Sequence, residues 1–182
     1  MADFNAPYEY VVAQKSEGKW RTRRILLIML YILYPIFALL VGFLTRLGVP
    51  MLCFIPLSEW MLIFFTWRYV KLEYEYAIVS GVLTFSVIYG GRSRREKITF
   101  PLRAATLIAP VGYRMHEDKL ELFDPEIVYN AIGDSDSPDK YFAIFTSEEG
   151  KRCVFYFEAT ERMIKTCRFY NPASTVVTKV RY

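Results

Sequence analysis

From Ile25 to Thr45 the chain runs 21 residues without a formal charge. Wound at about 1.5 Å per residue, that stretch matches a hydrocarbon core of about 30 Å, so it predicts a transmembrane helix. A cleaved leader fits less well: 24 residues precede the run, the run is too long, and no small-residue cleavage site follows. A second apolar run, Val49 to Trp67, is interrupted by Pro50, Pro56 and Glu59, and Arg46, Leu47 and Gly48 are too short a link to form a domain. The expectation is an antiparallel transmembrane helical hairpin over 25–68, its second helix starting at either Pro50 or Pro56.

After Lys71 the period changes to two. Leu72, Tyr74, Tyr76 and Ile78 share one face opposite Glu73 and Glu75, which is the pattern of a half-buried strand. Ser80-Gly81 turns into Val82–Tyr89, making a β-hairpin. Further strands are predicted at 97–100, 104–109, 126–131, 141–146 and 152–157, and Glu148-Glu149-Gly150 joins the last two. The pattern then turns helical, with Thr160 as a cap, Met163, Ile164, Cys167 and Tyr170 along one stripe, and Pro172 as the stop. The fold class is therefore α+β: a helical hairpin, then a seven-stranded sandwich or barrel with a C-terminal capping helix. The division is a basic N-terminal segment (1–24), the hairpin (25–68) and a β domain (69–182). About 110 residues from Lys71 onward are expected to fold alone.

Composition sharpens this division. A 53% hydrophobic share and 17% aromatic share are high for a soluble chain of 182 residues, and the excess lies in the two apolar runs. The net charge of +4 is also local. From Tyr69 onward, 16 basic residues face 15 acidic ones, whereas Lys15, Lys19, Arg21, Arg23 and Arg24 outnumber Asp3, Glu9 and Glu17 ahead of the first helix. A β domain this neutral lacks the basic face that nucleic-acid binding needs, so no nucleic-acid partner is expected. Those five cations with Arg68 and Lys71 outweigh Arg46 at the hairpin turn, which predicts both termini in the cytoplasm of a multi-pass cell-membrane protein. Trp20, Trp67 and Tyr69 fall where interfacial aromatics belong. Cys53, Cys153 and Cys167 show neither disulfide nor metal spacing and suit a reducing compartment.

Four features carry the resemblance of this chain to a known family: Leu72–Ile78 directly after a membrane hairpin, Gly90-Gly-Arg-Ser-Arg-Arg, Ala109-Pro-Val-Gly, and the closing strand pair with its helix. It resembles bacterial membrane proteins whose cytoplasmic part is a pleckstrin-homology-like (PH-like) domain, a family of uncharacterised function. The resemblance implies a fold and a location. It implies no enzymatic activity, since such domains more often bind lipids, peptides or other subunits.

Candidate chemistry is sparse. Glu59, a carboxylate in an apolar run, costs roughly 2.5–3.5 kcal/mol on insertion scales unless paired or protonated. If the helix starts at Pro50, Glu59 lies at the depth of Tyr34 and Pro35, where it could bond the Tyr34 hydroxyl or the Tyr31 carbonyl freed by Pro35. If it starts at Pro56, Glu59 sits in the first turn near the outer interface, favoured by the helix dipole. Arg92, Arg94, Arg95 and Lys97 read as an anionic-lipid contact or as a solvated strand connection diluted by Glu96. Asp134, Asp136 and Asp139 fail calcium-loop spacing, with Pro138, Asp139 and Phe145 at positions that need other residues, so a polar loop is expected rather than a metal site. His116 reads as a surface histidine without a nucleophile. Gly90-Gly91 lacks the rest of a phosphate loop. No cofactor, metal or catalytic residue is expected. The resulting reading is a membrane-anchored interaction or scaffold module that contacts lipids and an unidentified protein. The alternative is an accessory subunit of a larger transporter or channel.

Overall fold

The computed structural model describes residues 7–15 and 17–178. The chain divides into a helical unit, Lys15–Leu72 with Tyr89–Ser93, and a β unit made of the N-terminal strand, Glu73–Ile88 and the chain from Arg94 onward.

In the helical unit, α1 runs Gly18–Leu44 and α2 runs Gly48–Thr66, followed by a 3-10 turn at Trp67–Tyr69. The second helix thus begins ahead of both prolines: Pro50 falls in its first turn, where no intrahelical donor is needed, and Pro56 lies within it. The reversal is a left-handed cap. Arg46 adopts φ 61°, the Leu47 amide donates to the Gly42 carbonyl at 3.0 Å, and the Arg46 amide donates to Phe43 at 3.4 Å. Along α1, Tyr31, Ala38 and Gly42 form the buried seam, and α2 answers with Ile55. Gly42 is required there because a Cβ at that position would lie 2.8 Å from the Met51 side chain. Most other apolar side chains of both helices are exposed, and each helix is long and apolar enough to cross a membrane.

Among its described residues the β unit holds two four-stranded sheets and two α-helices. One sheet has the order β1-β2-β3-β4 (Tyr8–Ala13, Leu72–Val79, Val82–Tyr89, Ser93–Pro101). The other is ordered β5-β7-β8-β6, from Ala105–Pro110, Lys140–Thr146, Arg152–Glu158 and Ile127–Asn130, with β6 parallel to β8. Aromatic rings join the sheets: Tyr76 and Phe85 contact Phe155 at 6.1 and 5.2 Å, and Phe100 stacks on Phe145 at 4.0 Å.

The second sheet is also covered on its other face. Leu107, Phe142, Ile144 and Val154 meet Leu120 and Phe123 of α3 (Arg114–Phe123) and Val176 of the C-terminal segment. Burial on both faces explains why β7 is apolar without alternation. The closing helix α4 (Glu161–Tyr170) buries Met163, Ile164, Thr166 and Cys167, with Tyr170 half-buried. Thr160 caps it by accepting from the Met163 amide at 3.2 Å. At its far end the Asn171 amide donates to the carbonyls of Leu102 and Ala105 at 2.9 and 2.7 Å.

The structure departs from the sequence reading in four further places. The eighth strand is β1, read above as part of a basic tail; it pairs antiparallel with β2 from Tyr8↔Ile78 to Ala13↔Glu73. The helical hairpin is therefore inserted between two paired strands, and the chain from Lys71 onward lacks one edge of its sheet. β4 begins at Ser93 rather than Lys97, so the basic residues read as a connection are mostly strand. α3 occupies a stretch for which the sequence pattern above predicts no element. His116 is buried on it, at 8% exposure, rather than on the surface.

Candidate functional site

The polar groups of the helix pair are placed by its seam. The Thr66 hydroxyl donates to the Leu62 carbonyl at 2.6 Å, so the Tyr31 hydroxyl donates to Thr66, also at 2.6 Å. Tyr34 donates to Ser58 at 2.6 Å, and Ser58 lies 2.9 Å from the Phe54 carbonyl. Both tyrosines thus use hydroxyls of α2, and these two hydrogen bonds tie the helices where apolar packing alone discriminates weakly. Glu59 is half-buried, on the same side of α2 as Ile55 and Leu62. Among the described residues its carboxyl forms no hydrogen bond with Tyr31 or Tyr34.

The four cations read together at the sequence level are dispersed by the fold. Arg92 lies in the turn between β3 and β4, exposed, with its amide donating to the Tyr89 carbonyl at 3.2 Å. The Nε of Arg94 lies 2.9 Å from the buried Glu75 carboxylate and donates to Ser86 Oγ at 3.4 Å. Glu75 is thereby neutralised inside the sheet, and Arg94 has an internal role. Strand alternation puts Arg95 and Lys97 on the opposite face from Arg94, both exposed.

Arg92 has different neighbours. Gly90, at φ 61°, lets the turn press onto the 3-10 segment: its amide donates to the Lys71 carbonyl at 2.7 Å, and a Cβ there would meet the Arg68 backbone at 3.1 Å. Tyr89 packs edge-on against Tyr69 at 6.0 Å. Tyr89 also lines a recess of about 370 Å³, together with Trp60, Phe64, Arg68, Lys71 and Arg92. Sequence reasoning missed Arg68 and Lys71 as companions of Arg92, because no spacing rule links the end of a helix to a turn two strands later.

Elsewhere the titratable groups serve structure. The amides of Gly133 and Asp134 donate to Glu158 at 2.6 and 2.8 Å, and Asp134 accepts from the Asp136 amide at 2.9 Å, so the acidic loop is organised by its own backbone. Burial pushes the Tyr8 phenol and the Cys167 thiol each up to about 12, and raises Tyr76 further. The desolvated anion is the cause in each case. Cys153 is raised for the same reason, which makes both buried thiols poor nucleophiles.

Two sheets joined through an aromatic core and closed by a C-terminal helix define a PH-like domain, here interrupted after its first strand by two long apolar helices. The chain belongs to the bacterial PH-like domain family DUF6106, which it matches over residues 5–177, helices included. The function of this family is unknown. Comparison with curated proteins and with solved structures gave no match.

Proposed function

We propose that this protein is a non-enzymatic interaction module fixed in the cell membrane by α1 and α2, with its N-terminus and PH-like domain in the cytoplasm, where it meets membrane lipids and a protein partner. The observation that carries this reading is the insertion of two long, apolar, outwardly exposed helices between paired strands of a PH-like sheet. Membership of a PH-like family supports binding over catalysis, and the charge asymmetry across the hairpin supports the orientation. Anchoring raises the local concentration of the domain for anything else at that membrane. On α3, Met115 and Leu122 lie two turns apart on one face, exposed at 69% and 86%, and they offer a protein partner an apolar contact.

The test has two parts. Alkaline carbonate washing should leave the protein in the membrane fraction, and a reporter fused after Tyr182 should be active only if it works in the cytoplasm. Release by carbonate refutes the anchor, and an external reporter signal refutes the orientation. Half-exposed Glu59 favours a second reading, an accessory subunit that offers this carboxyl to the helices of a transporter or channel. Purification in mild detergent decides between them: a stoichiometric polytopic partner supports the subunit.

A further inference from the structure

The recess at the end of α2 is amphipathic in an ordered way. Its apolar part is Trp60, Ile63 and Phe64, with Trp60 and Phe64 stacked at 5.6 Å, and it continues the exposed apolar surface of a helix long enough to span a bilayer. Its other part carries Arg68, Lys71 and Arg92, and among the described residues no carboxylate lines it. Arg68 lies over the Tyr69 ring at 4.8 Å and donates to the Tyr69 hydroxyl at 2.8 Å, which fixes its guanidinium. Arg92 makes no ion pair among the described residues. Gly90 makes the assembly possible, since only a residue without a Cβ brings the Arg92 turn against the Arg68 backbone.

We infer that this recess is a binding site for an anionic phospholipid of the surrounding bilayer, with the headgroup phosphate held by Arg68, Lys71 and Arg92 and an acyl chain lying along Trp60 and Phe64. Charge complementarity selects the anion: guanidinium and ammonium groups form short, charge-assisted hydrogen bonds to phosphate oxygens. The apolar floor selects a lipid over free phosphate, because an inorganic ion gains nothing from two stacked aromatic rings. Trp67, which also lines the recess, is of the type that settles at headgroup level. The inference rests on the membrane-anchored reading and deepens it by assigning a lipid class to named residues.

The experiment uses the full-length protein, delipidated in detergent and titrated with phosphatidylglycerol or phosphatidylcholine, with bound lipid counted by native mass spectrometry. Phosphatidylglycerol should be retained in preference. Each cation at an anionic headgroup is worth about fivefold in binding, so Arg92→Gln should weaken retention about fivefold and Arg68→Gln with Arg92→Gln about twenty-five-fold. Arg92→Lys should restore most of it, and Arg95→Gln, the same charge change at an exposed strand position, should leave it unaltered. Equal retention of the two lipids, equal losses from Arg92→Gln and Arg95→Gln, or complete displacement of the lipid by millimolar inorganic phosphate each overturn the inference. A protein that resists carbonate washing yet shows no lipid preference would retain its anchor and lose this site, so the two failures are distinguishable.

Discussion

Strand β1 should be a structural part of the PH-like domain, although the helical hairpin separates it from the other strands. Its anchor is Tyr8, 6% exposed, whose phenol shares a hydrogen bond of 2.6 Å with Thr160, the cap of α4, and whose ring lies under Arg162 at 5.8 Å. At the other end of the strand Gln14 donates to the Gly133 carbonyl at 3.2 Å. Losing one hydrogen bond of this kind costs about 1 kcal/mol, and truncating a buried aromatic to alanine about 3–5 kcal/mol. Since Ala13 pairs with Glu73, the hairpin can be replaced by an Asn-Gly turn between Gln14 and Leu72, which should give a soluble β-rich protein. In that protein Tyr8→Phe should lower Tm by about 3–5 °C and Tyr8→Ala by about 10–20 °C, followed by near-UV circular dichroism. The Lys71–Tyr182 fragment should be less stable than either the joined chain or its Tyr8→Phe variant. If that fragment melts within experimental error of the joined chain, β1 contributes nothing and the reasoning fails.

The remaining predictions concern the core, the pH response and the helix pair. Ile164→Asp in the same soluble protein should destabilise by several kcal/mol, because Ile164 is 1% exposed under the sheets; unchanged melting would refute its place in the core. The folded state raises the pKa of Cys167 from 9.0 and of Tyr8 from 10.0, each to about 12, so both groups favour folding while neutral. Their contribution is intact below pH 9 and is lost as pH rises from about 9 to 12. Denaturant midpoints measured from pH 8 to 11 should therefore fall, and Cys167→Ala should flatten the part that begins near pH 9. In the full-length protein, Gly42→Leu should lower the detergent melting temperature because Met51 occupies the space, whereas Glu59→Gln and Glu59→Ala should differ little from each other. A clear loss confined to Glu59→Ala would show that its carboxyl donates a hydrogen bond in the hairpin.

What could be read from the sequence was what a single periodicity specifies. The apolar runs, the β2–β3 hairpin with Ser80 and Gly81 both at positive φ, and the stripe of α4 needed only local pattern. β1 was legible in principle, since Tyr8, Tyr10 and Val12 alternate with Glu9 and Val11, but the neighbouring cations drew the segment into a charge argument. α3 carried a signal in the spacing of His116, Leu120 and Phe123, followed by Asp124 in the left-handed region and by Pro125. Its charged residues Glu117, Asp118, Lys119 and Glu121 leave only those three positions to mark a buried face. The parallel pairing of β6 with β8 had no local signature, because any exposed strand of four residues could take either direction. The grouping of Arg68, Lys71 and Arg92 was illegible for a different reason: it is created by Gly90, and a glycine pair in a sequence marks a turn without saying what approaches it.

The position of the insertion also bears on how the chain reaches its fold. β2 can pair with β3 as soon as both exist, but its other edge stays open until β1 arrives from the far side of two helices. An open edge with Tyr74, Tyr76 and Ile78 on its strand is a template for pairing with other chains. Bringing β1 to it through a flexible connection of that length would carry the loop-closure cost of the whole insertion. An antiparallel helix pair shortens that search, because once α1 and α2 pack along Tyr31, Ala38 and Gly42, the ends of the insertion are no longer independent. Helix pairing and strand pairing are therefore coupled in free energy. Any variant that weakens the seam, Gly42→Leu among them, should raise aggregation of the PH-like domain as well as loosening the helices, even though no residue of that domain has changed.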